Sequence, residues 1–150
     1  MAVYKVVYHP DPVLRAEATP VKHVDGHVQR LLANMADTMY AFRGVGLAAP
    51  QIGVSKRLVV VDIGNGLFQL VNPKILRASG QGRGKEGCLS LPGLWGEVDR
   101  ATEIVVWCLD QKGNEMRFRA TGFLARVLQH EIDHLDGILF IDRAVSVTRE

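Results

Sequence analysis

One short segment constrains this chain more than any other: His130-Glu131-Ile132-Asp133-His134, at the end of an apolar stretch that opens near Phe123. Thr121 is a cap residue ahead of a helix over 123–135, and Gly137 supplies a natural stop. Residues four apart leave a helix on the same side, so His130 and His134 can bind one metal ion together. Glu131 lies about 100° round the helix from His130 and borders that side, within reach of a water held by the ion. Phe123, Leu124 and Val127 stand one or two turns earlier on the same side, which is therefore expected to face a core. Two surface histidines sharing a stripe would be the plain alternative, and those apolar neighbours argue against it. Buried without partners, two histidines beside a glutamate would be costly, and a bound cation removes that cost. The chain is thus expected to fold around this helix.

The remaining elements are read from periodicity. Val28, Leu31, Leu32, Met35 and Met39 recur at helical spacing between Asp25, a cap residue, and Phe42, with Gly44 just beyond. Residues 4–8, 56–63 and 68–76 read as strands, the last disturbed by Asn72-Pro73. A hairpin is expected of 104–109 and 115–120 around Lys112-Gly113-Asn114. The small residues of 44–53 and the four glycines within 79–87 read as loops. Strands and helices are segregated, which predicts an α+β fold: mainly antiparallel sheets packed around a central helix that carries the HExxH motif. The length of 150 residues fits one domain, 1–150.

A catalytic metal on such a helix takes three protein ligands and leaves one position open. His9, His23 and His27 fall far upstream, and Asp136, Asp142 and Glu150 have spacings that fit no zincin pattern. Cys88 is the better third ligand: a soft donor in a glycine-flanked loop, whose thiolate a metal would stabilise. Cys108 sits in a buried strand sequence and needs only a packing role. A net charge of +2, with basic residues dispersed, argues against nucleic acid or an anionic membrane as partner. With no signal-like or membrane-length apolar run, a cytoplasmic protein without a disulfide is expected.

Three segments together resemble the motifs of the bacterial-type peptide deformylase family. They are Gly44-Val45-Gly46-Leu47-Ala48-Ala49-Pro50-Gln51-Ile52, Glu86-Gly87-Cys88-Leu89-Ser90 and Gln129-His130-Glu131-Ile132-Asp133-His134. The HExxH element alone is shared by many unrelated hydrolases, whereas all three in this order are specific. The resemblance implies removal of the N-formyl group from the N-terminal methionine of newly synthesised proteins, with release of formate. It implies that Cys88, His130 and His134 hold the metal and that Glu131 is the general acid/base. Gln51, through its side-chain amide, and Leu89, through its backbone N–H, are then the groups that steady the oxyanion. Gly46 is similar to the family glycine whose backbone meets the substrate. Val45, Leu91, Phe123 and Val127 would line a slot for the methionine side chain, with Trp95 at its rim.

Glu86 and Arg100 correspond to a family pair that braces the cysteine loop, and Asp133 is a carboxylate that either supports a ligand or faces solvent. The resemblance further implies one divalent ion, physiologically Fe²⁺, with Zn²⁺ or Ni²⁺ able to replace it. The implied partners are N-formylmethionyl nascent peptides and the ribosome, for an enzyme working as a monomer. Many bacterial members continue past the third motif into a long C-terminal helix, whereas this chain ends shortly after Ile141-Asp142, and docking that rests on such a tail is not assigned to these residues. Two rivals make different demands. A general zinc peptidase of HExxH type would use a carboxylate or histidine as third ligand and survive loss of Cys88. A structural metal module would need a fourth protein ligand and no Glu131.

Overall fold

The run Leu58–Val61 is buried at every position, which a strand achieves only when both of its faces are covered. In the computed structural model, which describes residues 2–150, it belongs to a five-stranded sheet. The strands of that sheet are β1 (Gly46–Ala48), β2 (Leu58–Val61), β3 (Phe68–Ser79), β6 (Glu103–Leu109) and β7 (Glu115–Thr121). They lie side by side in that order, antiparallel throughout. A second sheet holds β4 (Gly82–Cys88), β5 (Leu91–Arg100) and β8 (Ala144–Arg149), again antiparallel.

Strand alternation distributes the side chains of β2 between two cores. Leu58 and Val60 meet Val28, Leu31, Leu32, Met35 and Met39 of helix α1 (Gly26–Ala41). Val59 and Val61, with Ile104, Val106 and Ala120, meet Ala125, Val127, Leu128 and Leu135 of helix α2 (Gly122–Leu135). The outer flank of α2 reaches the second sheet, where Arg126 donates to the carbonyls of Gly82 and Val98. A third cluster of Leu14, Leu91, Val98, Leu139 and Phe140 seals that sheet against the short helix α3 (Phe140–Arg143). The α+β architecture with the HExxH helix at its centre is therefore the one observed. None of its helices, among the described residues, is long and apolar enough to cross a membrane.

Both long helices have defined ends. The Asp25 side chain accepts from the Val28 N–H at 3.0 Å and caps α1. Thr121 occupies the cap position of α2 by backbone conformation, without a side-chain bond. At the other end, Arg57 donates to the Leu135 carbonyl at 3.0 Å, a cation where the helix dipole favours one. Gly137 has φ +73°, and a Cβ there would stand 2.5 Å from the Arg15 carbonyl oxygen, so the stop admits only glycine.

Four expectations are corrected. Residues 4–8 form no strand: Tyr4 donates to the Thr38 hydroxyl and Val7 to the Gln51 carbonyl, so no neighbouring strand is in register. Residues 44–53 are not merely a loop, because Gly46–Ala48 pair with Val59–Val61 as β1 and Ala49–Ile52 make a 3₁₀ turn. Residues 79–87 are largely strand: β4 pairs with β5 from Gly82 onwards, and that pairing overrides the poor strand propensity of glycine. Phe123 does not face the core; it is 56% exposed at the first turn of α2, whereas Val127, one turn on, is buried. The disturbance at Asn72-Pro73 is a β-bulge, with Asn72 at φ +53°, inside a central strand.

Candidate metal centre

The spacing of His130 and His134 on α2 brings both imidazoles to the flank of the helix that faces the end of β4. There Cys88 closes the group: its Sγ and the two ring nitrogens lie within 4.8 Å of one another. Cys88 stands 3.4 Å from His134 Nε2. It is half-buried at the head of the tight turn Leu89-Ser90 that joins β4 to β5. Cys108, by contrast, is fully buried, and burial pushes its thiol up to about 12, so it is a packing residue.

Each donor is oriented by a neighbour or by burial. His130 Nδ1 lies 2.9 Å from Glu86 Oε1, which leaves Nε2 for the ion. Burial works against a charged His130 ring, whereas Cys88, Glu131 and Glu86 favour a cation there, either a proton or, in its place, a metal ion. His134 is fully enclosed; burial, with His130 adding to it, keeps its pKa well below the ordinary value, in the neutral form a metal requires. Its Nδ1 has no hydrogen-bond partner among the described residues.

Glu86 itself sits at the centre of a charge cluster. Arg100 grips it with Nε to Oε2 at 2.7 Å and Nη2 to Oε1 at 2.9 Å, and Arg126 Nη1 donates to Oε2 at 2.6 Å. Burial alone would raise the Glu86 pKa, yet Arg100 and His130 draw it down to about 2. The expected Glu86–Arg100 pair is thus present, buried and two-pronged. Asp133 resolves as a supporting carboxylate that accepts from Arg100 at 2.8 Å and from Arg143 at 2.6 Å.

Glu131 is buried beside this cluster, and its Oε1 also has no partner among the described residues. Burial pushes its carboxyl up to about 7, with His130 opposing. A Cβ on Gly46 would lie 2.6 Å from Glu131 Oε2 and 2.8 Å from its Cγ. The bare glycine of β1 is what gives Glu131 its place. Gln51 is fixed at its other end, because Oε1 accepts from the Ala48 N–H at 3.0 Å. Its Nε2 is then aimed at Cys88 Sγ, 3.5 Å away, and at Ser90 Oγ, 3.3 Å away.

A cavity of about 470 Å³ opens over the group. Its lining includes Gly46, Gln51, Cys88, Leu89, His130 and Glu131, together with Val45, Leu91, Phe123 and Val127. Trp95 contributes to the same cavity, with Lys85 Nζ 4.8 Å from the centre of its ring. These residues thus line one cavity, and His134 joins them through the donor group, while Arg100 and Asp133 stand behind it. Arg126, Ser90 and Arg143 were not singled out. Arg126 had a signal, a cation one turn before His130 on the same helix; Arg143 had none, since its partner is brought to it only by folding.

The donor set suits a transition-metal ion: one sulfur and two nitrogens converge, and a buried carboxylate oxygen beside them lacks a partner among the described residues. Comparison with known proteins agrees in kind. Residues 3–150 match the model of the polypeptide deformylase family. A peptide deformylase of Syntrophomonas wolfei is 55% identical over 150 residues, covering 100% of this chain and 99% of that protein. The solved structure of the Thermotoga maritima peptide deformylase superposes with a TM-score of 0.95 at 41% identity, covering 97% of this chain and 100% of the other. That of a peptide deformylase from Synechococcus elongatus, in complex with actinonin, gives 0.92 at 42% identity, covering 95% and 79%.

Proposed function

Because the chain belongs to the polypeptide deformylase family, whose members remove the N-formyl group from newly synthesised proteins, we propose that Glu131 carries the proton through this reaction while Gln51 and Leu89 meet the charge it generates. One observation carries this reading: three S/N/N donors converge beside a buried carboxylate with an oxygen unpartnered among the described residues, in an apolar cavity. Cys88, His130 and His134 would hold the ion. When bound, that ion supplies Lewis acidity, which brings the pKa of a water towards neutrality.

Glu131 accepts the proton of the attacking water, and hydroxide adds to the formyl carbon. A carboxyl held near 7 suits both halves of such a transfer. Negative charge gathers on the formyl oxygen, where the Gln51 side-chain amide and the Leu89 N–H donate to it. A donor so placed typically lowers the barrier by about 3 kcal/mol. Glu131 then passes its proton to the departing amine, which leaves formate and a free N-terminal methionine.

Specificity follows from shape. A formyl carbon bears only hydrogen, so a close-fitting end to the cavity rejects acetyl and longer acyl groups. Val45, Leu91, Phe123 and Val127 offer the apolar walls that a methionine side chain fills, and Trp95 borders them. Gly46 lies on β1, the edge strand of its sheet, where an extended peptide can run alongside its backbone. Actinonin, found in the Synechococcus elongatus complex, is expected to compete for the same space.

Sulfur and nitrogen donors accept Fe²⁺ and Zn²⁺ alike. We take Fe²⁺ as the working ion, with Zn²⁺ or Ni²⁺ able to replace it, and a cytoplasmic monomer acting on chains as they leave the ribosome. The peptidase alternative is not favoured, because the third donor beside the two histidines is a cysteine. Anaerobic Fe²⁺-loaded protein should release formate from formyl-Met-Ala-Ser and no acetate from acetyl-Met-Ala-Ser, and Cys88→Ala should abolish the release. Cleavage of an internal peptide bond that survives Cys88→Ala would instead establish the peptidase.

A further inference from the structure

The charge cluster behind His130 does not end at Arg100. From His130 Nδ1 it runs 2.9 Å to Glu86 Oε1, and from both oxygens of Glu86 to the fork of Arg100. Arg100 Nη1 continues 2.8 Å to Asp133 Oδ2. Asp133 is then held from outside by Arg143, Nε to Oδ2 at 2.6 Å and Nη2 to Oδ1 at 3.0 Å. The path crosses α2, β4, β5, α2 again and α3, so it ties together elements distant in the chain. Side-chain exposure rises outward along it, from 5% at Glu86 and 3% at Arg100 to 12% at Asp133 and 45% at Arg143.

We infer that Arg143 is a positioning residue for the metal ligand His130, acting through Asp133, Arg100 and Glu86; the inference rests on the metal reading above. Arg100 faces three carboxylate oxygens, two on Glu86 and one on Asp133. Its geometry at Glu86 is therefore set by how strongly Asp133 competes for it. Arg143 takes up both oxygens of Asp133 and moderates that competition. Without Arg143, Asp133 Oδ1 loses its partner, and the whole charge of Asp133 falls on Arg100, which is drawn away from Glu86. Glu86 is the group that fixes the ring of His130, and the orientation of that ring determines how well Nε2 meets an ion.

A merely structural role for Arg143 is separable, because α3 has a second anchor. Arg15 donates to both oxygens of Asp142 and to the Gly137 carbonyl, and among the described residues it hydrogen-bonds to no member of the path. The test is the rate at which Co²⁺-loaded protein loses its metal to excess EDTA, read from the visible absorption of the cobalt–thiolate centre. Arg143→Ala should release Co²⁺ about tenfold faster than the wild type, the lower end of what outer partners of metal ligands contribute. Arg143→Lys should fall between, since an ammonium cannot grip both oxygens at once. Arg15→Ala should release at the wild-type rate.

On a Glu86→Gln background, Arg143→Ala should add no further acceleration. If Arg143→Ala does not fold, Arg143→Gln keeps most of the side-chain length and reads the same rate. Wild-type release from the folded Arg143 variants, equal acceleration by Arg15→Ala, or full additivity with Glu86→Gln would each overturn the inference. Wild-type protein that takes up no Co²⁺ at Cys88, His130 and His134 would overturn the metal reading itself, and this inference with it.

Discussion

Gly46 and Glu131 compete for the same volume, and the active arrangement exists only because glycine yields it. In Gly46→Ala the new methyl would stand 2.6 Å from Glu131 Oε2, so the carboxylate must swing out of place. A displacement of about 1 Å in a proton-transfer group costs on the order of 100-fold in rate. Gly46→Ala is therefore expected to lose about that factor in kcat for formate release, with its metal content unchanged. Wild-type kcat in this variant would mean that the position of Glu131 does not matter. The metal ligands were legible in the sequence for a local reason, since two histidines one turn apart must share a helix face. Cys88 was legible by the chemistry a third donor needs. The contact between His130 and Glu86 was not, because the two are 44 residues apart in the chain and meet only when α2 docks on β4.

Helix α2 earns its place between the sheets through its apolar flank. Leu128 is fully buried in the cluster shared with Val59, Val61, Ile104 and Val106. Leu128→Ala should lower unfolding free energy by about 2–5 kcal/mol, measured by urea denaturation; a loss under about 1 kcal/mol would mean the site can collapse around the gap. At α3 the tie is electrostatic. The hydrogen bond from Arg15 holds the Asp142 carboxyl below its ordinary 3.8, against a smaller opposing effect of burial. A depressed folded pKa stabilises fully above the unfolded value and fades as pH falls through the folded one. Asp142→Asn should thus be less stable than the wild type at pH 6, and the two should converge as pH falls through the lowered Asp142 value, as followed by thermal melts over the acid range. The elements that were hard to read share a feature: β4, rich in glycine, and the segment 4–8, rich in strand formers, are decided by what lies beside them rather than by their own residues.

At the scale of the whole molecule, the site belongs to no single layer. The five-stranded sheet supplies Gly46 from its edge, the three-stranded sheet supplies Cys88 and Glu86, and α2 between them supplies His130, Glu131 and His134. Gln51, on the 3₁₀ turn after β1, closes the group from the remaining side. The α+β class and the central helix followed from segregated periodicities, whereas the division into two sheets did not, because β5 and β8 carry no alternation strong enough to announce them. The central claim, that a single buried carboxylate moves the proton within a three-ligand metal centre, is tested most directly by Glu131→Gln. That variant should bind one equivalent of metal as the wild type does and release formate from formyl-Met-Ala-Ser at least about 100-fold more slowly, the scale of a lost general acid/base. Near-wild-type formate release from the metal-loaded variant would contradict the account, and the proton would have to be carried by another group.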